Sequence, residues 1–127
     1  MLHHFGITIN SREEIKDFYS DILGFQYAYE FELASSKSKL IFNVHDDLQV
    51  IVMKGYGIKL ELFIKANLET RNINHICLAF QNSEEVYYKA KSKGYWSLKL
   101  SRTDENGFNY FVKDSSDNLF ELKDLFQ

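Results

Sequence analysis

An α+β fold made of two copies of a strand-helix-strand-strand-strand unit is what this 127-residue sequence predicts. Three observations lead there. The chain matches itself: Asn74-His75-Ile76-Cys77-Leu78-Ala79-Phe80 lies under His4-Phe5-Gly6-Ile7-Thr8-Ile9. At the same offset Glu13-Glu14-Ile15 falls on Glu84-Glu85-Val86. After a one-residue slip Leu23-Gly24-Phe25 falls on Lys93-Gly94-Tyr95, and at the far ends Leu60-Glu61-Leu62 falls on Phe120-Glu121-Leu122. Within each copy the apolar period changes from two to about 3.6 and back, the mark of strand, helix and strand. The length and the 45% hydrophobic composition suit one domain with a real core. A repeat of this kind governs every later assignment.

Residues 3–10 alternate, with Phe5, Ile7 and Ile9 on one side and His4, Gly6 and Thr8 on the other, which predicts a strand. Ser11 stands three residues before Glu14 at capping-box spacing, and Ile15, Phe18, Tyr19 and Ile22 follow at helical spacing. A helix over roughly 12–22 is expected, ended by Gly24. Phe25 to Leu33 alternates as a strand, and Ala34 to Ser38 reads as a polar loop. Leu40 to Val44 reads as an additional strand-like run and Leu48 to Met53 as a strand, with His45-Asp46-Asp47 turning between them. Gly55-Tyr56-Gly57 then turns the chain into a strand from Ile58 to Ile64.

The polar stretch 65–73 reads as the bridge between copies. The second copy repeats the order: a strand from Ile73 to Gln81, a helix from Ser83 to Lys93, a strand from Tyr95 to Leu100 and a loop from Ser101 to Gly107. Asn109 to Lys113 and Leu119 to Leu122 pair across Asp114-Ser115-Ser116-Asp117-Asn118, where Asp and Asn tolerate left-handed backbone. The two helices are expected to cover one face of a curved mixed sheet.

Alternation also sorts the side chains. Phe5, Ile7, Ile9 and Ile76, Leu78, Phe80 are large and belong under the helices, whereas His4 and His75 share their faces with Gly6, Thr8, Cys77 and Ala79, which leave room beside the imidazoles. Glu61 and Glu121 stand between apolar neighbours and point the same way as the histidines. One such residue alone would read as a solvated position on a half-exposed sheet. The same types at equivalent points of both copies predict a shared metal site of His4, Glu61, His75 and Glu121. If a pseudo-twofold axis relates the copies, the four converge.

Two imidazoles and two carboxylates suit Zn, Ni, Co, Mn or Fe(II). An ion with positions left for water chelates two adjacent substrate oxygens and acts as a Lewis acid, and a glutamate is placed to be the base. His3 reads as structural or solvent-exposed, His45-Asp46-Asp47 as a turn, and Cys77 as a small buried residue. Gln49 is the rival of Glu61 under a different strand register.

Composition excludes other classes. No run of 18 apolar residues exists, no charged-then-apolar leader opens the chain, and the net charge is −3 with scattered lysines, so neither membrane nor nucleic acid is an expected partner. One cysteine, Cys77, makes no internal disulfide and fits a cytoplasmic setting.

The run His4-Phe5-Gly6-Ile7-Thr8-Ile9, then Phe18-Tyr19 and Leu23-Gly24-Phe25, resembles the opening of the vicinal oxygen chelate superfamily. Lys59-Leu60-Glu61-Leu62-Phe63, Asn74-His75-Ile76-Cys77 and Tyr110-Phe111-Val112-Lys113-Asp114, continuing to Phe120-Glu121-Leu122, resemble its later motifs. The superfamily includes glyoxalase I, methylmalonyl-CoA epimerase, extradiol dioxygenases, fosfomycin-resistance transferases and bleomycin-binding proteins. The resemblance spans essentially the whole chain. It implies a single domain over 1–127 of two tandem βαβββ modules, 1–66 and 72–127, forming a cupped mixed sheet with helices outside, usually in a homodimer.

Position by position, the resemblance makes His4, Glu61, His75 and Glu121 the ligands and Glu121 the base. The four-ligand set is most like glyoxalase I. The arginine that enzyme uses near its thiol-peptide substrate is missing after His4, and Ser115-Ser116-Asp117 replaces the usual Pro-Asp-Gly turn. The expected function is a glyoxalase-type lyase or isomerase, with Glu121 or Glu61 abstracting a proton beside a metal-chelated carbonyl of a small substrate or its thiol adduct. The alternatives are a non-catalytic binding or resistance protein and an extradiol-type dioxygenase, which a fourth ligand disfavours.

Overall fold

The computed structural model describes residues 2–66, 74–102 and 106–125. The chain divides into two compact units, Met1–Leu68 and Glu69–Gln127. The first holds β1 (His4–Ile9), a π-helical segment (Ile15–Ser20), β2 (Gln26–Leu33), α1 (Ser35–Phe42), β3 (Leu48–Gly55) and β4 (Ile58–Ile64). The second holds β5 (His75–Phe80), α2 (Ser83–Ser92), β6 (Ser97–Ser101), β7 (Phe108–Lys113) and β8 (Leu119–Asp124). Each unit closes its own four-stranded sheet, in the orders β1-β4-β3-β2 and β5-β8-β7-β6. The pairs β1/β4 and β5/β8 are parallel and the others antiparallel, so both sheets are mixed.

The duplication is therefore one of hydrogen-bond register as well as of sequence. His4 pairs with Lys59 and Gly6 with Glu61, while His75 pairs with Leu119 and Cys77 with Glu121. In each unit the histidine precedes, by two residues on the edge strand, the residue beside the glutamate. The matched glycines agree too: Gly24 and Gly94 leave their helices with φ of +83° and +87°, conformations open to glycine without a Cβ clash.

Of the large residues that alternation assigns to the packed faces of β1 and β5, Ile9, Leu78 and Phe80 are buried, while Phe5, Ile7 and Ile76 are only partly covered. Ile9, Leu60, Leu62, Ile51 and Met53 are buried together in the first unit, and Leu78, Phe80, Tyr110, Val112, Phe120 and Leu122 in the second. The π-helical segment lies against β2, and α2 against β6, β7 and β8. Asn82 caps α2 by accepting from the Glu85 amide at 3.1 Å, while the Asp124 carboxylate takes the Ser83 amide at 2.7 Å.

The first helix is wound differently from the α-helix its spacing predicts. Asp21 N donates to Lys16 O at 2.9 Å and Leu23 N to Phe18 O at 3.0 Å, both five residues back. Ile22 N also reaches Phe18 O. The wide turn keeps Phe18, Tyr19, Ile22 and Leu23 buried ahead of Gly24.

A larger correction concerns 34–44. The expected loop and strand-like run are instead α1, and Leu40 and Ile41 are exposed. Polar side chains decide this. The Asp47 carboxylate accepts the Ser35 amide at 2.7 Å, and the buried Ser38 hydroxyl lies 2.9 Å from Val44 O and 2.6 Å from Asp46 O. Asn43 then stops the helix in the left-handed region at φ 57°.

The β7–β8 turn holds its shape without proline. The buried Asp114 carboxylate accepts from Ser116 N, Asn118 N and Asn118 Nδ2 at 2.9, 2.8 and 2.8 Å, and Asp117 takes the left-handed conformation at φ 69°. Of the expected bridge 65–73, residues 67–73 lie outside the described residues, as do 103–105 of the expected loop 101–107. Among the described residues no helix is long and apolar enough to cross a membrane.

Candidate metal half-sites

His4 opens β1 on the face that carries Gly6 and Thr8, and Glu61 points the same way from β4. His4 Nε2 stands 3.3 Å from Glu61 Oε1. In the second unit His75 Nε2 stands 3.7 Å from Glu121 Oε2, and Glu121 Oε1 lies 3.6 Å from Lys123 Nζ. The imidazoles are about half exposed, the carboxylates less so, with side-chain exposures of 24% for Glu61 and 19% for Glu121. These are recessed acceptors beside open imidazoles.

The donor chemistry fits a borderline divalent ion. Nitrogen and oxygen bonded to one tetrahedral zinc stand about 3.4 Å apart, from bond lengths of roughly 2.0–2.2 Å. The His4–Glu61 spacing of 3.3 Å matches that edge, and the His75–Glu121 spacing of 3.7 Å is a few tenths longer. Each pair offers two donors. Among the described residues no cluster of three or more His, Cys, Asp or Glu is assembled.

The small residues beside the imidazoles leave space, as alternation implies. A cavity of about 390 Å³ opens over His4, Gly6, Thr8 and Glu61. Its other side is apolar, with Phe42 and Val44 at the end of α1, then Leu48 and Phe63. Phe42 and Phe63 meet edge to face with centroids 5.3 Å apart. A Cβ on Gly6 would stand 2.9 Å from Phe63 Cε2, so the glycine lets this ring lean over β1. A wider basin of about 730 Å³, lined by His3, Gln26, Lys54, Tyr56 and Lys59 among others, carries no carboxylate. Size alone favours that basin, but the smaller cavity holds both an imidazole and a carboxylate and is the one with chemistry to offer.

The other sequence candidates are accounted for. Gln49 donates to Glu30 at 2.9 Å, and its register partner Ile64 puts it on the face opposite Glu61, whose partner is Val52. Asp46 pairs with Lys65 at 3.0 Å and Asp47 caps α1, so the His45-Asp46-Asp47 turn spends its carboxylates on structure. Cys77 is exposed rather than buried, because its β5 face is the open one. Partial burial of the sulfur and then the Glu121 carboxylate push its thiol up, against a pull from Lys123, which disfavours a reactive thiolate. His3 is exposed, and its Nδ1 lies 2.8 Å from His4 Nδ1, a contact that alternation alone does not foresee. Phe42 reaches the cavity from the end of α1, a helix whose sequence signal is Asn43, a residue suited to a left-handed helix end.

The family model for the Glyoxalase/Bleomycin resistance protein/Dioxygenase superfamily matches residues 1–122. The chain belongs to that superfamily. A search of curated protein sequences finds no match. Among solved structures, a glyoxalase family protein from Enterococcus faecalis is similar at 19% identity and TM-score 0.72, over 96% of this chain and 95% of that one. The fosfomycin resistance protein FosX from Listeria monocytogenes, complexed with Mn(II) and sulfate, is similar at 18% identity and TM-score 0.69, over 96% and 89%. A variant of FosX with Mn(II) and 1S,2S-dihydroxypropylphosphonic acid reaches 20% identity and TM-score 0.72, over 98% and 91%. At these identities the likeness is one of fold, and it agrees with tandem βαβββ modules of the superfamily.

Proposed function

We propose that this superfamily member is a metal-dependent lyase or isomerase of the glyoxalase type, acting on a small carbonyl compound or its thiol adduct, with His4, Glu61, His75 and Glu121 as metal ligands. The observation that carries the reading is the equivalence of the two half-sites, the same residue types at the same register in both units. Two donors hold a divalent ion poorly, and three or four protein ligands are the rule, so both pairs are needed whichever copies of the chain supply them. Zn, Ni, Co, Mn and Fe(II) suit the donors; the Mn(II) bound by FosX keeps manganese in that set.

When bound, the ion supplies Lewis-acid polarisation of a substrate carbonyl. The remaining work belongs to side chains. Glu121 takes the proton from the carbon beside the carbonyl at Oε1, the oxygen turned from His75 toward Lys123, and gives it back at the neighbouring carbon. Lys123 balances the carboxylate charge. On the first unit, Phe42, Val44 and Phe63 give the cavity over His4 and Glu61 an apolar side. Glu61 is the alternative base, on the more exposed of the two carboxylates. A homodimer in the cytoplasm belongs to the same reading, and sedimentation of the purified protein tests the dimer.

The test is metal content, by elemental analysis of tag-free protein reconstituted with Zn, Ni, Co or Mn. The parent is expected to hold about one ion per site of four ligands, and His75→Ala and Glu121→Ala to lose it. Absence of binding in a folded parent overturns the reading. It would leave a second one, a non-catalytic small-molecule binding or resistance protein, which the apolar wall beside His4 favours.

A further inference from the structure

His3 lies just outside β1, so the strand's alternation does not dictate where its ring goes. The ring turns onto His4 instead of away from it. The two Nδ1 atoms are 2.8 Å apart, with the rings edge to face at 81°. The other nitrogen of His4, Nε2, faces Glu61 Oε1 at 3.3 Å. The three side chains form a line: His3 Nδ1, His4 Nδ1, then across the ring His4 Nε2 and Glu61.

We propose that His3 is the positioning residue that fixes the ring and the tautomer of His4 for metal ligation. The inference rests on His4 being a ligand through Nε2. A short contact between two ring nitrogens needs one donor and one acceptor, and a neutral imidazole has one of each. With metal on Nε2, the His4 proton must be on Nδ1, so His4 donates and His3 Nδ1 accepts. His3 then carries its own proton on Nε2, where it is open to water.

A hydrogen-bond partner on the outer nitrogen of a ligating histidine raises its basicity and locks its orientation, and losing one costs about 10- to 100-fold in metal affinity.

The experiment uses Zn(II), titrated by chelator competition into the parent, His3→Ala, His3→Asn and His4→Ala. Asn carries an acceptor oxygen on Cγ, where His carries Nδ1, so it retains the bond that Ala removes. Expected is an affinity about 10- to 100-fold weaker in His3→Ala, near-parental in His3→Asn, and lost in His4→Ala. Nitrogen NMR of the Zn(II)-loaded parent should find the His4 proton on Nδ1 and the His3 proton on Nε2. Parental affinity in His3→Ala beside loss in His4→Ala overturns the role of His3 alone, as does a His3 Nδ1 proton in the loaded protein. Parental affinity in His4→Ala overturns the ligand reading, and this inference with it.

Discussion

Glu30 shows how a single side chain is governed by neighbours far away in sequence. Arg12 holds both its oxygens at 2.8 Å, Gln49 donates at 2.9 Å and Tyr27 at 3.3 Å. The Arg12 hydrogen bond first, with Gln49 and Tyr27 adding to it against desolvation, lowers the carboxyl from 4.5 to about 2. A lowered folded-state value means that the charged form is the stabilised one. The contribution of Glu30 is complete above the unfolded value near 4.5 and is lost as pH falls toward about 2. Urea midpoints of the parent and Glu30→Gln should thus differ most at neutral pH and converge across that window. An unchanging gap would show that the carboxylate charge is not what Glu30 contributes. The imidazole and carboxylate types of the half-sites were legible at this scale, because alternation leaves them among small neighbours. The His3–His4 contact was not, because His3 lies beyond the strand that alternation describes.

At the scale of elements, α1 is where reading and structure part. Leu40, Ile41 and Phe42 read as strand by composition, yet local polar groups win: the Asp47 cap, the Ser38 hydroxyl and the left-handed Asn43. Three consecutive apolar residues carry no period, so neither a strand nor a helix is identified by them. Ser38→Ala removes the buried hydroxyl that reaches the carbonyls of Val44 and Asp46 and is expected to cost about 0.5–1.5 kcal/mol in chemical denaturation. The same change should loosen the Phe42 and Val44 wall of the His4 cavity. An unaltered unfolding curve would show that water replaces the hydroxyl. The β7–β8 turn is the opposite case: its Asp and Asn content announced left-handed backbone, and Asp117 adopts it.

For the whole molecule, the repeat makes the strongest demand. Leu62 and Leu122 occupy corresponding places, one residue past Glu61 and Glu121, with exposures of 0% and 2%. Leu62→Ala and Leu122→Ala should each destabilise by about 2–5 kcal/mol, read from denaturant midpoints. Losing stability at only one of them would mean that the two units do not pack equivalently. The sequence by itself determined the duplication, eight strands in chain order beside a ninth run that is a helix, and which residue types stand on the open faces of β1, β4, β5 and β8. Those follow from periods of two and 3.6, which are local properties of the backbone. Tertiary structure decided the separate closure of two sheets, the π winding before Gly24, the helix at 35–42 and the spacing of His4 to Glu61 and His75 to Glu121. The sheets and the two spacings depend on contacts between residues many positions apart, and the π winding and the helix at 35–42 on hydrogen bonds between residues five to twelve apart, neither of which a period of two or 3.6 encodes.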